Sequence, residues 1–336
     1  SISRLIPAKP IYFSPITSST RQQGFPSKMK RLEEFRLYYN HTLHPELMRM
    51  ERRRIRLLRL LFFSALLLLA LLIFALYLNI LAITLVLMLP VGFYIGYLGY
   101  RIRVFIQTFK PNIVNLILEF IGDSPNYGMI HYDDKKFIEK SVFKRSGIFS
   151  SPMQYYIGED HFSGKIGEMD FELSELRVRE VSKVSNKLQE IFEGVFIHAQ
   201  FNEEVEGRII VWPRKERQYL TRAIKDFNWS KGQNVDSEIL NLNFREKFIV
   251  YATEDTHVVG ILTEPMQEDI LDFLGDTDRK FYLSFIDREI FCAISEHKDL
   301  LEPHLFQSNL SFDLIREFYI DISRKLGVVR NFDQNL

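Results

Sequence analysis

Hydrophobic and polar positions along this chain fall into three textures. From Leu60 to Tyr100 there is no Asp, Glu, Lys or Arg in 41 consecutive residues, and the run is bracketed by Arg59 and Arg101. Ahead of it, Leu32, Phe35, Tyr39 and Leu43 recur at helical spacing, and Leu47 and Met50 resume the pattern after Pro45. This predicts one juxtamembrane helix and a second that runs into the apolar stretch. After Tyr100, Phe105 and Phe109 continue a helix to Pro111, and Ile113, Leu116, Ile117, Phe120 and Ile121 predict a short amphipathic helix that stops at Gly122. From Met129 onward, short runs with period-two alternation are separated by Gly, Asp and Asn, as strands and turns require.

The strands expected are Tyr155 to Ile157, Gly167 to Leu173, Leu176 to Val181, Gly194 to Phe201 and Arg208 to Trp212, followed by Glu238 to Phe244, Lys247 to Thr253 and Val258 to Leu262. Phe171 and Leu173 share one phase and Leu176 and Val178 the other, which predicts a bulge or a break between two strands. Phe281 to Ile286 and Glu289 to Ile294 predict a hairpin turned at Asp287 and Arg288. Helices are expected within Arg214 to Phe227, from a Thr263 cap to Gly275, and from a Ser311 cap along the stripe Phe312, Ile315, Phe318, Tyr319, Ile322 and Leu326, closed by Gly327.

The apolar run is the organising feature. One pass across a hydrocarbon core of ~30 Å takes ~20 residues. The run therefore predicts two transmembrane passes, Leu60 to Leu78 and Ile80 to Tyr100, turned at Asn79. In the second pass Gly92 and Gly96 make a small-xxx-small step that suits close helix approach. A hairpin buried inside a soluble protein is the competing reading, but so long an uncharged run exceeds what soluble helices carry. A signal peptide would be shorter and closer to the start.

Charge sets orientation. Arg49, Arg52, Arg53, Arg54, Arg56 and Arg59 crowd the entry and Arg101, Arg103 and Lys110 follow the exit, while the turn carries no charge. Both ends are therefore expected in the cytoplasm. Topology alone accounts for this basic cluster, and a specific lipid site is the alternative. Through Tyr100 there are 13 Lys and Arg against 4 Glu, which leaves 30 basic against 39 acidic residues from Arg101 onward. The basic part suits anionic headgroups, and the acidic remainder argues against nucleic-acid binding. A single cysteine, Cys292, excludes an intrachain disulfide and fits a reducing compartment.

The organisation expected is a disordered or non-native leader over 1–28, juxtamembrane helices over 29–59, a two-pass transmembrane hairpin over 60–100, a membrane-exit helix over 101–122 and a cytoplasmic α+β domain over 123–336, with a subdivision near 230. Candidate chemistry is sparse. There is no Walker loop, GxGxxG, HExxH, paired CxxC or GxSxG, so the signatures of phosphate, metal and acyl-transfer chemistry are missing. No catalytic residue and no cofactor is assigned. Glu159, Asp160 and His161, with Asp133 and Asp134 nearby, offer oxygen and nitrogen metal ligands. Adjacent strand residues face opposite ways, however, so the triplet converges only in a special loop.

The central stretch resembles a known family. Ser146-Gly147-Ile148-Phe149, Tyr156 to Asp160, Gly164-Lys165-Ile166-Gly167, Phe171 to Leu176 and Ile191 to Asn202 resemble the bacterial membrane proteins grouped as a domain of unknown function, DUF3137. Phe248 to Tyr251, Ile261 to Thr263 and Leu305-Phe306 fit as well. Gln200 and Arg214 depart from it, standing where such proteins tend to carry acidic residues. The resemblance implies a double membrane span ahead of a cytoplasmic domain and implies no activity. The expected protein is thus a multi-pass inner-membrane protein with an α+β domain of antiparallel strands and flanking helices, serving interaction or scaffolding. Its expected partners are membrane lipids and a protein partner or second copy. The alternatives are a membrane-anchored enzyme using the Glu159–His161 loop, and a lipid-sensing domain built as a small β-barrel closed by the C-terminal helix.

Overall fold

The computed structural model describes residues 28–78, 81–181, 187–217, 219–254, 256–275, 277–296, 305–306 and 308–335. The expected leader and the Asn79 turn lie outside these residues.

Two long helical rods begin the chain. Helix α1 (Lys28–Tyr38) passes through a π-helical turn (Tyr39–Leu43) into α2 (His44–Leu78) without a break. Pro45 thus does not separate two helices. It lacks an N–H and crowds the preceding turn, and the ladder widens just ahead of it, where the His44 N–H bonds to the Tyr39 carbonyl. Helix α3 (Leu81–Gly122) runs straight through Pro111, so the expected separate exit helix is the end of this one. Its 42 residues span about 63 Å, roughly twice a hydrocarbon core. Both rods are long and apolar enough to cross a membrane. Phe62, Phe63, Ile73, Phe74, Leu76, Leu85, Val86, Leu87 and Phe93 are all more than half exposed. No neighbouring atom comes near Gly92 or Gly96, so this small-residue step faces open space.

The domain is built on one antiparallel sheet. Strands β1 (Tyr127–Asp133), β2 (Tyr155–Ile166), β3 (Met169–Val181) and β4 (Leu188–Pro213) form a meander. Beyond it come helix α5 (Thr221–Trp229), after α4 (Lys140–Arg145) between β1 and β2, and then β5 (Gly232–Asn234), α6 (Leu242–Lys247), β6 (Phe248–Thr253), α7 (Val258–Ile261), α8 (Glu264–Leu274), β7 (Phe281–Ser295) and α9 (Phe312–Asn335). Segment β7 doubles back on itself. Fully extended it would span ~50 Å, yet the Ser295 N–H bonds to the Lys280 carbonyl at 2.8 Å and Arg279 meets Glu296 at 2.8 Å. The turn falls at Asp287, whose φ is +54°, as the hairpin reading anticipates.

This hairpin is wedged into the middle of β4. Its second half pairs with Gly194 to Gln200 and its first half with Arg208 to Val211. On their outer edges the two halves of β4 carry β3 and β6 respectively. Strand β1 pairs only with β2, and β5 only with β6, among the described residues. The sheet is therefore open, and the small closed barrel is corrected to an open sheet.

Both faces of the sheet are buried. Phe171, Leu173, Val195, Ile197, Ile209, Val211, Leu283 and Cys292 join a large core with the long helices, α8 and α9. Leu176, Val178, Phe192, Phe196, Ile210, Trp212 and Phe291 face the other way, into a smaller core with α4 and α5. This explains the phase change in β3. Alternation continues unbroken, but each half of the strand buries a different face. The expected bulge lies in the partner strand instead, where the β2–β3 register slips between Glu159 and Phe162.

Two element types and one helix end differ from expectation. Val258 to Leu262 forms a helical turn because Val258 and Leu262, four apart, are the buried pair. Residues 238–244 are no strand, since Asn241 caps α6 by accepting the Phe244 N–H at 3.1 Å. Helix α9 passes through Gly327 to Asn335, burying Val328, Val329 and Phe332 beyond it.

The long rods and the sheet share one core. Phe35 is fully buried and stacks on Tyr319 of α9 at 4.0 Å and 12°, and Phe120 of α3 meets the same tyrosine edge-on at 5.6 Å. If α1 were a tether, truncating Phe35 would cost nothing. Here Phe35→Ala is expected to destabilise the detergent-solubilised chain by ~3–5 kcal/mol, read as a lower midpoint in thermal unfolding.

Candidate functional site

The bulge in β2 decides where the sequence-selected triplet points. Asp160 sits there with φ +56°, a left-handed conformation that Asp tolerates better than most residues. It turns the Asp160 carboxylate under α3, where it accepts the Lys110 ammonium at 2.5 Å and the Tyr132 hydroxyl at 2.6 Å. Burial and the Asp160 charge push the Tyr132 phenol far up, which keeps it a donor. His161 emerges on the opposite face and meets Glu172 at 3.2 Å. Glu159 lines a separate hollow of about 130 Å³ with Glu175, Arg177, Glu193 and Glu296. Burial and the nearby Asp160 raise its pKa. Glu159, Asp160 and His161 therefore serve three places and form no common site.

On the face that His161 joins, a polar row crosses four strands. Glu172 binds His161 through one carboxylate oxygen and His198 Nδ1 through the other at 2.9 Å, while His198 Nε2 meets Glu289 at 2.9 Å. Glu289 in turn receives both Nε and Nη2 of Arg145, at 2.8 and 2.6 Å. The His198 ring stacks on Phe291 at 4.9 Å and 10°. Each ring nitrogen of His198 faces a carboxylate oxygen, an arrangement that the imidazolium form satisfies completely. Hydrogen bonds from His161 and His198 push Glu172 down to about 2. Burial alone would raise Glu289, but Arg145 and His198 outweigh it and the net shift is downward.

A second charged group joins α9 to the sheet. Lys325 is almost fully buried and its ammonium meets Glu175 at 2.7 Å and Asp321 at 2.8 Å. Burial pulls its pKa down, yet Asp321 and Glu175 more than reverse this. Neither the row nor this triad was selected from sequence. The available signal was the isolated His198 among Phe196, Ile197 and Ala199, and a lysine three residues past Ile322 on the apolar stripe. Their partners lie on other strands, 26 and 150 residues away.

The arginine collar divides into two kinds. Arg49, Arg52, Arg53, Arg56, Arg59 and Arg103 are exposed and Arg101 is half-buried. Arg54 departs from the expected lipid-facing cluster. It is 6% exposed, bonds Glu51 through two nitrogens at 2.9 and 2.5 Å, and donates to the Leu305 carbonyl. Arg214, a departure from the resembled family, is likewise structural, bonding Asp236, the Arg245 carbonyl and the Phe248 carbonyl.

Two outcomes check this electrostatic account. Asp160→Asn keeps the shape and tolerates positive φ but leaves Lys110 without its counter-charge, so it should cost ~3–5 kcal/mol in denaturant unfolding. Adding Lys110→Met should recover most of that loss. For Glu172 the depressed pKa means that its stabilisation is complete above the ordinary carboxylate pKa of 4.5 and is lost as pH falls towards about 2. Acid titration of unfolding should show this loss, about 1–2 kcal/mol after solvent screening. Glu172→Gln should remove that component of the pH dependence.

No curated protein and no solved structure matches the chain. Residues 190–334 match a family described as protein of unknown function, DUF3137. The match takes in β4 with its wedged hairpin, His198, Glu289 and Lys325, and leaves out the long helices and β1 to β3. The segment from β4 to α9 thus matches the family that the sequence resembles.

Proposed function

We propose that the chain is an integral protein of the bacterial inner membrane, with residues 60–100 crossing as a helical hairpin and both ends of the hairpin in the cytoplasm. The observation that carries this reading is the bare apolar band. Its side chains are exposed on two packed rods, whereas the parts of the same rods outside it, around Phe35, Phe105 and Ile117, are buried in the domain core. Exposed apolar area on that scale is satisfied by lipid. Arginines at Arg49 to Arg59 and at Arg101 and Arg103 favour the cytoplasmic side for both rod ends.

The domain then acts as a platform held at a fixed attitude to the bilayer, because its core includes the helices that enter it. Its net acidic surface suits a partner protein, or a second copy, that offers basic groups. An acidic-loop enzyme has less behind it, since Glu159, Asp160 and His161 face three directions.

Alkaline carbonate washing of membranes should leave the chain in the pellet, and reporter fusions after Met29 and after Leu336 should both report cytoplasm. Release into the wash, or a periplasmic C-terminus, would overturn the hairpin. Partner recovery from detergent extracts should fall between 0.1 M and 1 M salt, as the Debye length shrinks from ~10 to ~3 Å. Recovery that ignores salt would assign the contact to an apolar face instead.

A further inference from the structure

The side of the sheet that carries the smaller core, away from the long helices, holds a hollow of about 360 Å³. The α4–β2 connection, the first residues of β4, the start of α5 and the start of β7 enclose it, and every residue that lines it belongs to the described part of the chain. Small-ligand sites commonly enclose roughly 300–1,000 Å³. Its floor is aromatic. Phe149, Phe192 and Tyr282 are 8, 3 and 4% exposed, and the Phe149 ring lies 5.6 Å from Phe192 and 5.0 Å from Tyr282. Tyr282 is buried in this floor, yet its hydroxyl has no hydrogen-bond partner among the described residues and is not sealed from the hollow. A buried tyrosine hydroxyl normally finds a partner, because leaving one unpaired is costly. Burial and the nearby Glu216 carboxylate push the phenol up, so it stays neutral and its oxygen can accept a hydrogen bond.

Charge selects the occupant. Four carboxylates, Glu180, Glu190, Glu193 and Glu216, line the hollow against two cations, Arg222 and Lys280. Lys280 is held by Glu216 at 3.1 Å, Glu193 is held by Arg177 and Arg179 at 3.1 and 3.7 Å, and Arg222 is exposed, with its charge in water. Glu180 has no ion-pair partner among the described residues. An excess of carboxylate around an aromatic floor is the chemistry that receives a positive charge on an organic stem. We infer that this hollow binds a small organic cation, an alkylammonium or guanidinium, its apolar stem laid on the aromatic floor, its charge met by the carboxylates and one N–H accepted by the Tyr282 hydroxyl. The site is independent of the membrane reading, since the rods pack on the other face of the sheet.

The test uses the full chain in zwitterionic detergent micelles, with benzylammonium as the probe, read by isothermal titration calorimetry against empty micelles. Saturable binding is expected, about tenfold tighter than for benzyl alcohol, the neutral molecule of the same shape, or for benzoate. Tyr282→Phe keeps the ring and deletes only the hydroxyl, so it should weaken binding about fivefold and leave the thermal unfolding midpoint where it was. Glu180→Gln should weaken binding about threefold. Benzyl alcohol or benzoate binding as tightly as benzylammonium would overturn the cation site. Binding that ignores both substitutions would place the probe elsewhere and overturn it too, as would the absence of saturation at about 10 mM. A lower unfolding midpoint in Tyr282→Phe would assign the hydroxyl to the fold and remove it from the site.

Discussion

Everything else in this molecule depends on one apolar core that the long helices and the sheet build together. Phe35 and Tyr39 on the first rod, Phe109, Ile113 and Ile117 on the second, Phe318 and Leu326 on α9, and Leu173 and Val211 on the sheet all belong to it. Removing the rods would strip one face of the sheet, and removing α9 would unseat the rods. Burial is roughly proportional to apolar area withdrawn from water. Neither part can therefore be satisfied without the other, and the domain cannot swing freely on the helices that carry it.

The buried charges follow from this arrangement. Where helices with polar flanks are pressed onto a sheet, charged groups at the seam must be paired or stay in water. Lys110 with Asp160 closes the seam beneath α3, Lys325 with Glu175 and Asp321 closes it beneath α9, and Arg54 with Glu51 closes it at the collar. Each pair joins or braces a helix at a boundary of the core. Such pairs add little net stability over an apolar replacement, but breaking one is costly. The bulge at Asp160 is the local distortion that makes one of them possible.

The wedged hairpin has a comparable logic. Inserting β7 between the halves of β4 pairs Leu283 to Phe285 and Ile290 to Ile294 with β4, with side chains buried on both faces. Cys292 at its centre is fully buried, and that burial raises its pKa well above the ordinary thiol value, so it remains a packed, protonated thiol. Among the described residues no strand edge in the middle of the sheet is left open to pair with another chain.

Much of this was legible from the residues alone, wherever the signal was local. The uncharged run, its arginine flanks, the Thr263 cap accepting the Met266 N–H, the turn at Asp287 and the stripe of α9 each depend on residues within a few positions of one another. What was not legible depended on contacts distant in sequence. Strand β3 buries one face along its first half and the other along its second, so its apolar residues change phase and it read as interrupted. Val258 to Leu262 read as a strand because only the tertiary structure decides that Val258 and Leu262 are buried and Val259 is not. The polar row could not be found without the register that sets Glu172 opposite His198. Glu159, Asp160 and His161 were adjacent in sequence and separated by a bulge that only strand pairing reveals. Local chemistry decided most of the helices and strands and the extent of the apolar band. The fold alone decided which faces are buried, and hence which charges meet.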